Sequence, residues 1–208
     1  MLGLPSTTEV GRRLPKEALY RNLKLSPKQK DAFVHGVERI VILNSIKEGT
    51  IHIPAGREVE EIVVVGIELR DEGAAQTVVD EIAKANKHKL VFLCQVPTGR
   101  ASLAVRAQGV KFGPWSQPDQ LVLRIQGDTL DDVWDAIVSQ VAFGDTGMTS
   151  MSVEERLVLT EKIAALEKLV RELDTKCRKA KQIGKKNELF AQMRKAEAEL
   201  EQARKELV

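Results

Sequence analysis

The alternation of apolar and polar positions changes rhythm near residue 147. Before it, short apolar runs are broken by Gly and Pro. After it, only Gly184 interrupts a charged and apolar pattern that contains no Pro. In the first part, β-branched or alternating runs predict strands over ERIVILNSI (38–46), TIHIP (50–54), EEIVVVGIEL (60–69), KLVFLCQV (89–96), ASLAVRA (101–107) and QLVLRIQG (120–127). The run at 60–69 is too apolar to be covered on one face only, which predicts a central strand. Ser26, Pro27 and Gln29 read as an N-cap, an N1 proline and a capping-box partner for a helix reaching about Gly36. AAQTVVDEIAKAN places Val78, Val79 and Ile82 on one helical face. Thr129 and Asp132 form a capping box for LDDVWDAIVSQVAF, whose apolar stripe is Val133, Trp134, Ile137 and Val141. The sum is an α+β domain, a mixed sheet of about five strands with covering helices.

The tail opens with a capping box at Ser152 and Glu155. Leu159, Ile163, Leu166, Val170, Leu173, Cys177 and Ala180 then repeat at the three-four spacing of a coiled-coil seam. A second series, Leu189, Met193, Ala196, Leu200, Ala203 and Leu207, is out of register with the first. Extending the first series lands on Gly184 and Asn187. The phase break fits either a stutter in one straight coiled coil or a helical hairpin. Gly and Asn end helices, and two amphipathic arms can bury each other's stripes, so the expectation is a hairpin with its turn near 183–187. The small residues of FGDTGMTS (143–150) suit a linker. Two domains are therefore expected: residues 1–147 as the α+β domain, and 148–208 as the C-terminal helical hairpin, or coiled coil.

Charge separates the two parts. The chain carries a net +2; residues 151–208 hold 14 Lys/Arg and 11 Asp/Glu, leaving 18 and 19 for the rest. The excess sits in TKCRKAKQIGKKN, where Lys176, Arg178, Lys179, Lys181, Lys185 and Lys186 precede the next acid, Glu188. Two cysteines, Cys94 and Cys177, form no metal-ligand spacing. The opening MLGLPSTTEVGRRLPKE lacks a basic segment followed by a long apolar one, so no signal peptide is expected. No run approaches the ~20 apolar residues of a membrane helix. The cytoplasm is the expected compartment.

Several landmarks in order, MLGLPSTTEVGRRLPK, TIHIPAGREVEEIVVVGIEL, HKLVFLCQV and a coiled-coil tail with KQIGKKNEL, resemble a bacterial family of domains of unknown function. The resemblance spans nearly the whole chain. Tails in that family more often carry an aromatic residue and an Asn where this chain has Ile183 and Gly184. The resemblance implies a genomic context beside helicases and DNA methyltransferases in restriction-like antiphage clusters. It supplies no catalytic residues.

That context makes a nuclease the natural rival. Such chemistry needs acids and a Lys converging on a metal at the end of paired strands. The nearest approach is Glu61 and Glu68 at the two ends of one strand, with Arg70 in place of the Lys. Residues 61 and 68 would lie about 23 Å apart at ~3.3 Å per residue, too far to share an ion. GDTGMTS lacks the Lys of a phosphate loop. His35, His52 and His88 fall on separate elements, and Cys94 sits among apolar neighbours as an inert core thiol. No catalytic residue, metal or cofactor is assigned.

Two binding surfaces remain. The basic cluster is a DNA-contact candidate: long basic hairpins reach a duplex backbone without reading bases, and with no aromatic side chain interleaved in the cluster, base stacking on single strands is not expected. The bland alternative is a solvated tip. For a protein partner, a helicase or methyltransferase of the same system, the candidates are Trp115 in the loop KFGPWSQPDQ and the seam residues Leu166, Val170 and Leu173. The expected function is a non-enzymatic accessory or scaffold subunit. The alternatives are a divergent metal-dependent nuclease, or a DNA-binding module acting through the basic tip.

Overall fold

The computed structural model describes residues 2–15, 17, 23–145 and 151–207. The chain forms two compact units, residues 1–148 and 149–208. Residues 146–150, most of the expected linker, lie outside the described residues.

The first unit is an α+β domain. Its described residues form one six-stranded sheet in the order β1 (Glu9–Leu14), β2 (Val37–Ile46), β3 (Ile62–Leu69), β4 (Lys89–Gln95), β5 (Ala101–Arg106) and β6 (Val110–Phe112). Neighbours are antiparallel except β3 and β4, which run parallel. A parallel pair needs a crossover, and helix α2 (Ala75–Lys84) supplies it. Helix α1 (Pro27–Gly36) carries the Ser26–Gln29 capping box, with Pro27 at its start.

One sheet face buries Phe33, Ile40, Ile67, Val79, Ile82 and Phe92 in a common cluster with α1 and α2. The pleat sends the flanking residues of each strand to the other face. There Val64, Val91, Leu93 and Val105 are also buried. Helix α3 (Leu130–Phe143) packs against β5 and β6 and buries Val133, Ile137 and Val141. Burial on both faces is why β3 and β4 read as unbroken apolar runs. Asp131 fastens the start of α3 to the loop that leads into β3 by accepting the N–H groups of Arg57, Glu58 and Val59 at 2.7, 3.2 and 2.9 Å.

Two expected strands are absent. In TIHIP, Thr50 and Ile51 close a single helical turn (Glu48–Ile51). The Thr50 hydroxyl accepts the Lys47 N–H at 2.9 Å, and His52 ends the turn in the left-handed region. QLVLRIQG joins no ladder: Gln120 ends a 3-10 turn (Pro118–Gln120), and Leu121 leaves it in an extended conformation. Its Leu123 N–H donates to the Leu2 carbonyl at 3.0 Å, and Arg124 exchanges hydrogen bonds with the Gln140 amide on α3. The sheet reaches six strands through β1 and β6, neither of which was expected.

The second unit is an antiparallel hairpin of α4 (Val153–Lys179) and α5 (Ile183–Leu207). The Ser152–Glu155 capping box opens α4. Leu166, Leu173, Ala196 and Ala203 are buried, and Val170, Leu189, Met193 and Leu200 are half-buried. Arg204 of α5 reaches Glu167 of α4 at 2.7 Å, as an antiparallel pairing of arms requires. The turn is Ala180 to Gln182, earlier than expected. Ala180 leaves the helix in an extended conformation, and Lys186 N–H already donates to the Gln182 carbonyl at 3.0 Å. Gly184 therefore lies in the first turn of α5 and does not make the bend. Among the described residues no helix is long and apolar enough to cross a membrane.

Candidate functional site

The hairpin gathers all six basic residues of the candidate DNA site at one end. Lys176, Arg178 and Lys179 occupy the last turn of α4; Lys181 is in the bend; Lys185 and Lys186 open α5. All six are exposed. Since α4 has 27 residues, this end stands about 40 Å along the hairpin from Val153 at 1.5 Å per residue. Lys176, Lys179, Lys181, Gln182, Lys185 and Leu189 line a shallow concavity of about 570 Å³ at the bend. The Cys177 thiol donates to the Lys186 carbonyl across the turn at 3.7 Å and so fixes the two halves of the cluster together.

The charges at the two helix ends differ in origin. Cations in the last turn of α4 are favoured by the helix dipole. Lys185 and Lys186 stand at the positive end of α5, whose first turn contains no acid. Only Arg178 is neutralised locally, by Asp174 at 2.9 Å. Among the described residues, no acidic side chain pairs with the five lysines. Lysines gathered beside a positive helix end, without ion-pair partners among the described residues, are suited to an anionic partner.

The seam residues are inside the closed hairpin: Leu166 and Leu173 are buried and Val170 is half-buried. A partner reaches them only if the arms part. Trp115 is half-buried, packs on the main core cluster, and stacks on Phe112 with ring centroids 6.4 Å apart.

The acids considered for a nuclease are separated. Glu61 precedes β3, accepts a hydrogen bond from Ser45 and lies 3.6 Å from His88 Nδ1. Glu68 is at the far end of β3 and pairs with Arg39. The bulged β2–β3 register brings Glu38 to that same end, something the spacing did not reveal. Glu38 and Glu68 share a groove of about 510 Å³ with Arg70, Gln95 and Arg100 at the carboxyl ends of the parallel strands. Each acid has its own arginine: Glu38 is held by Arg70 at 2.8 Å. Among the described residues no group of three or more His, Cys, Asp or Glu is placed to hold a metal ion.

Fold and surface together define an α+β domain joined to a basic-tipped antiparallel helical hairpin. The family described as Domain of unknown function (DUF4391) matches residues 2–200, and the chain belongs to it. No curated protein matches the chain, and neither does any solved structure.

Proposed function

We propose that this protein is a non-enzymatic accessory subunit of a bacterial, cytoplasmic antiphage assembly of the restriction-like kind, and that it grips the DNA backbone through the hairpin tip. One observation carries this reading: five exposed lysines without ionic partners converge on a single turn, two of them where helix electrostatics disfavours cations. Phosphate groups would relieve that repulsion and release counterions. The resemblance to proteins encoded beside helicases and DNA methyltransferases supports such an enzyme as the protein partner. The one-to-one pairing of Glu38 and Glu68 with arginines favours a binding role over metal-dependent cleavage.

The test is a salt titration of DNA binding by fluorescence anisotropy, with the full chain and with Lys185→Glu/Lys186→Glu. The reading expects weaker binding by the variant and a flatter dependence on salt, by about one unit of slope per lysine lost. Identical curves for the two proteins would remove the tip from the interface.

A further inference from the structure

Phosphate contact leaves one feature of the tip unused. Phe190 is 47% exposed on α5, and the Arg194 guanidinium lies 5.5 Å from its ring centroid. Ile183, at the start of the helix, is 79% exposed. Ile183, Lys186, Phe190 and Arg194 are separated by three and four residues, so they form one stripe along the helix. This stripe is not the seam, which runs through Leu189, Met193 and Ala196 and faces α4. An apolar ring left in water thus stands between a lysine one turn before it and an arginine one turn after it. The next acid on this flank is Glu197. Lys186 and Arg194 flank the ring along this stripe, and two cations beside an exposed ring suit an anionic polymer rather than an apolar protein surface.

Arg194 occupies one face of the ring in a cation–π contact. We infer that the other face of Phe190 receives an unstacked base of single-stranded DNA, with the adjoining phosphates held by Lys186 and the lysines of the turn. Cationic side chains following the backbone beside an aromatic platform are the combination that sequence-tolerant single-strand binding uses. Bases within a duplex are stacked on both faces and offer no such surface to the ring. The inference rests on the DNA-gripping reading above and adds the substrate class: single-stranded DNA, as exposed when a duplex is opened.

The experiment measures binding of the full chain to labelled oligo(dT), to oligo(rU) and to a DNA duplex of equal length. The variants are Phe190→Ala, Phe190→Leu, Phe190→Trp and Lys185→Glu/Lys186→Glu. Oligo(dT) is expected to bind more tightly than the duplex. Phe190→Ala should weaken oligo(dT) binding about tenfold, the loss of one stacked base, and leave duplex binding unchanged. Phe190→Leu should not restore it. Phe190→Trp should retain binding, with its added fluorescence quenched by oligo(dT) against the background of Trp115 and Trp134. Circular dichroism should show every variant helical, because the ring is exposed. Full affinity in Phe190→Ala, or complete rescue by Leu, would overturn the stacking role; tighter binding to oligo(rU) would overturn the assignment to DNA. If Lys185→Glu/Lys186→Glu loses binding while Phe190→Ala does not, stacking fails and the backbone grip stands. If neither variant changes binding, both fail.

Discussion

Cys177 and Lys186 are joined across the hairpin turn, the thiol of one donating at 3.7 Å to the backbone carbonyl of the other. This contact closes the end of the seam and sets the lysines of α4 opposite those of α5. The basic cluster is therefore a product of the seam: if the arms separate, the six charges are no longer one surface.

That dependence can be tested at Leu166 and Leu173, both buried between the arms. Leu166→Asp with Leu173→Asp places two carboxylates where no partner awaits them. Each should cost about 3 kcal/mol or more, from lost burial and desolvation together. Circular dichroism of the double variant should show loss of tail helicity while the α+β domain keeps its cooperative melt. DNA affinity should fall even though no basic residue has changed. A variant with a helical tail and unaltered melting would contradict the seam.

A second prediction concerns acid stability. Burial pushes the Asp131 carboxyl up, but the N–H groups of Arg57, Val59 and Glu58 outweigh it and, with the Lys89 charge, hold it below its ordinary 3.8. A carboxyl with a depressed folded pKa contributes its full stabilisation above 3.8 and loses it as the pH falls through and below that value. Asp131→Asn should lower the melting temperature at neutral pH and flatten its decline in acid. Gly56 lies against the same carboxylate: a Cβ there would sit 2.2 Å from Asp131 Cγ. Gly56→Ala should therefore show a similar defect. Thermal melts across the acid range check both.

How much of this was legible in the sequence depended on where the information lies. Capping boxes at Ser26, Thr129 and Ser152 are local, and each starts a helix where expected. Strands β3 and β4 are buried on both faces and announce themselves by composition. Strand β1 does not: five of its six residues are exposed, so burial imposes no alternation, and a bulge at Gly11, with φ +65°, breaks its pairing. QLVLRIQG does alternate, with Leu123 buried and Val122 exposed, yet its hydrogen bonds go to Leu2 and Gln140. Periodicity reports burial and not the identity of the hydrogen-bond partner. Extending the first seam series beyond Ala180 puts the turn too late, because the helix has already ended there. The linear order argues against base stacking, since no aromatic residue is interleaved with the basic run, but Phe190 follows Lys186 by four residues and one helical turn brings the two side by side.

The two thiols should differ in reactivity. Cys94 is fully buried in β4, and burial pushes its pKa up to about 12. Thiolate is the reactive form, so Cys94 should resist alkylation in the native state and react only after global unfolding. Cys177 sits at the end of a two-helix unit, where local opening takes less free energy. Mass spectrometry of alkylated protein should show Cys177 modified first; the reverse order would contradict the packing described for β4.

The central claim is that DNA is held at the hairpin tip, and lysine footprinting addresses it most directly. The full chain is acetylated free and saturated with DNA, and each lysine is quantified by mass spectrometry. Lys176, Lys179, Lys181, Lys185 and Lys186 are all exposed, as are Lys28, Lys47 and Lys87 on the α+β domain. The account predicts protection of the first five by DNA and unchanged modification of the other three. Equal modification of the tip lysines with and without DNA, or protection confined to the α+β domain, would contradict it.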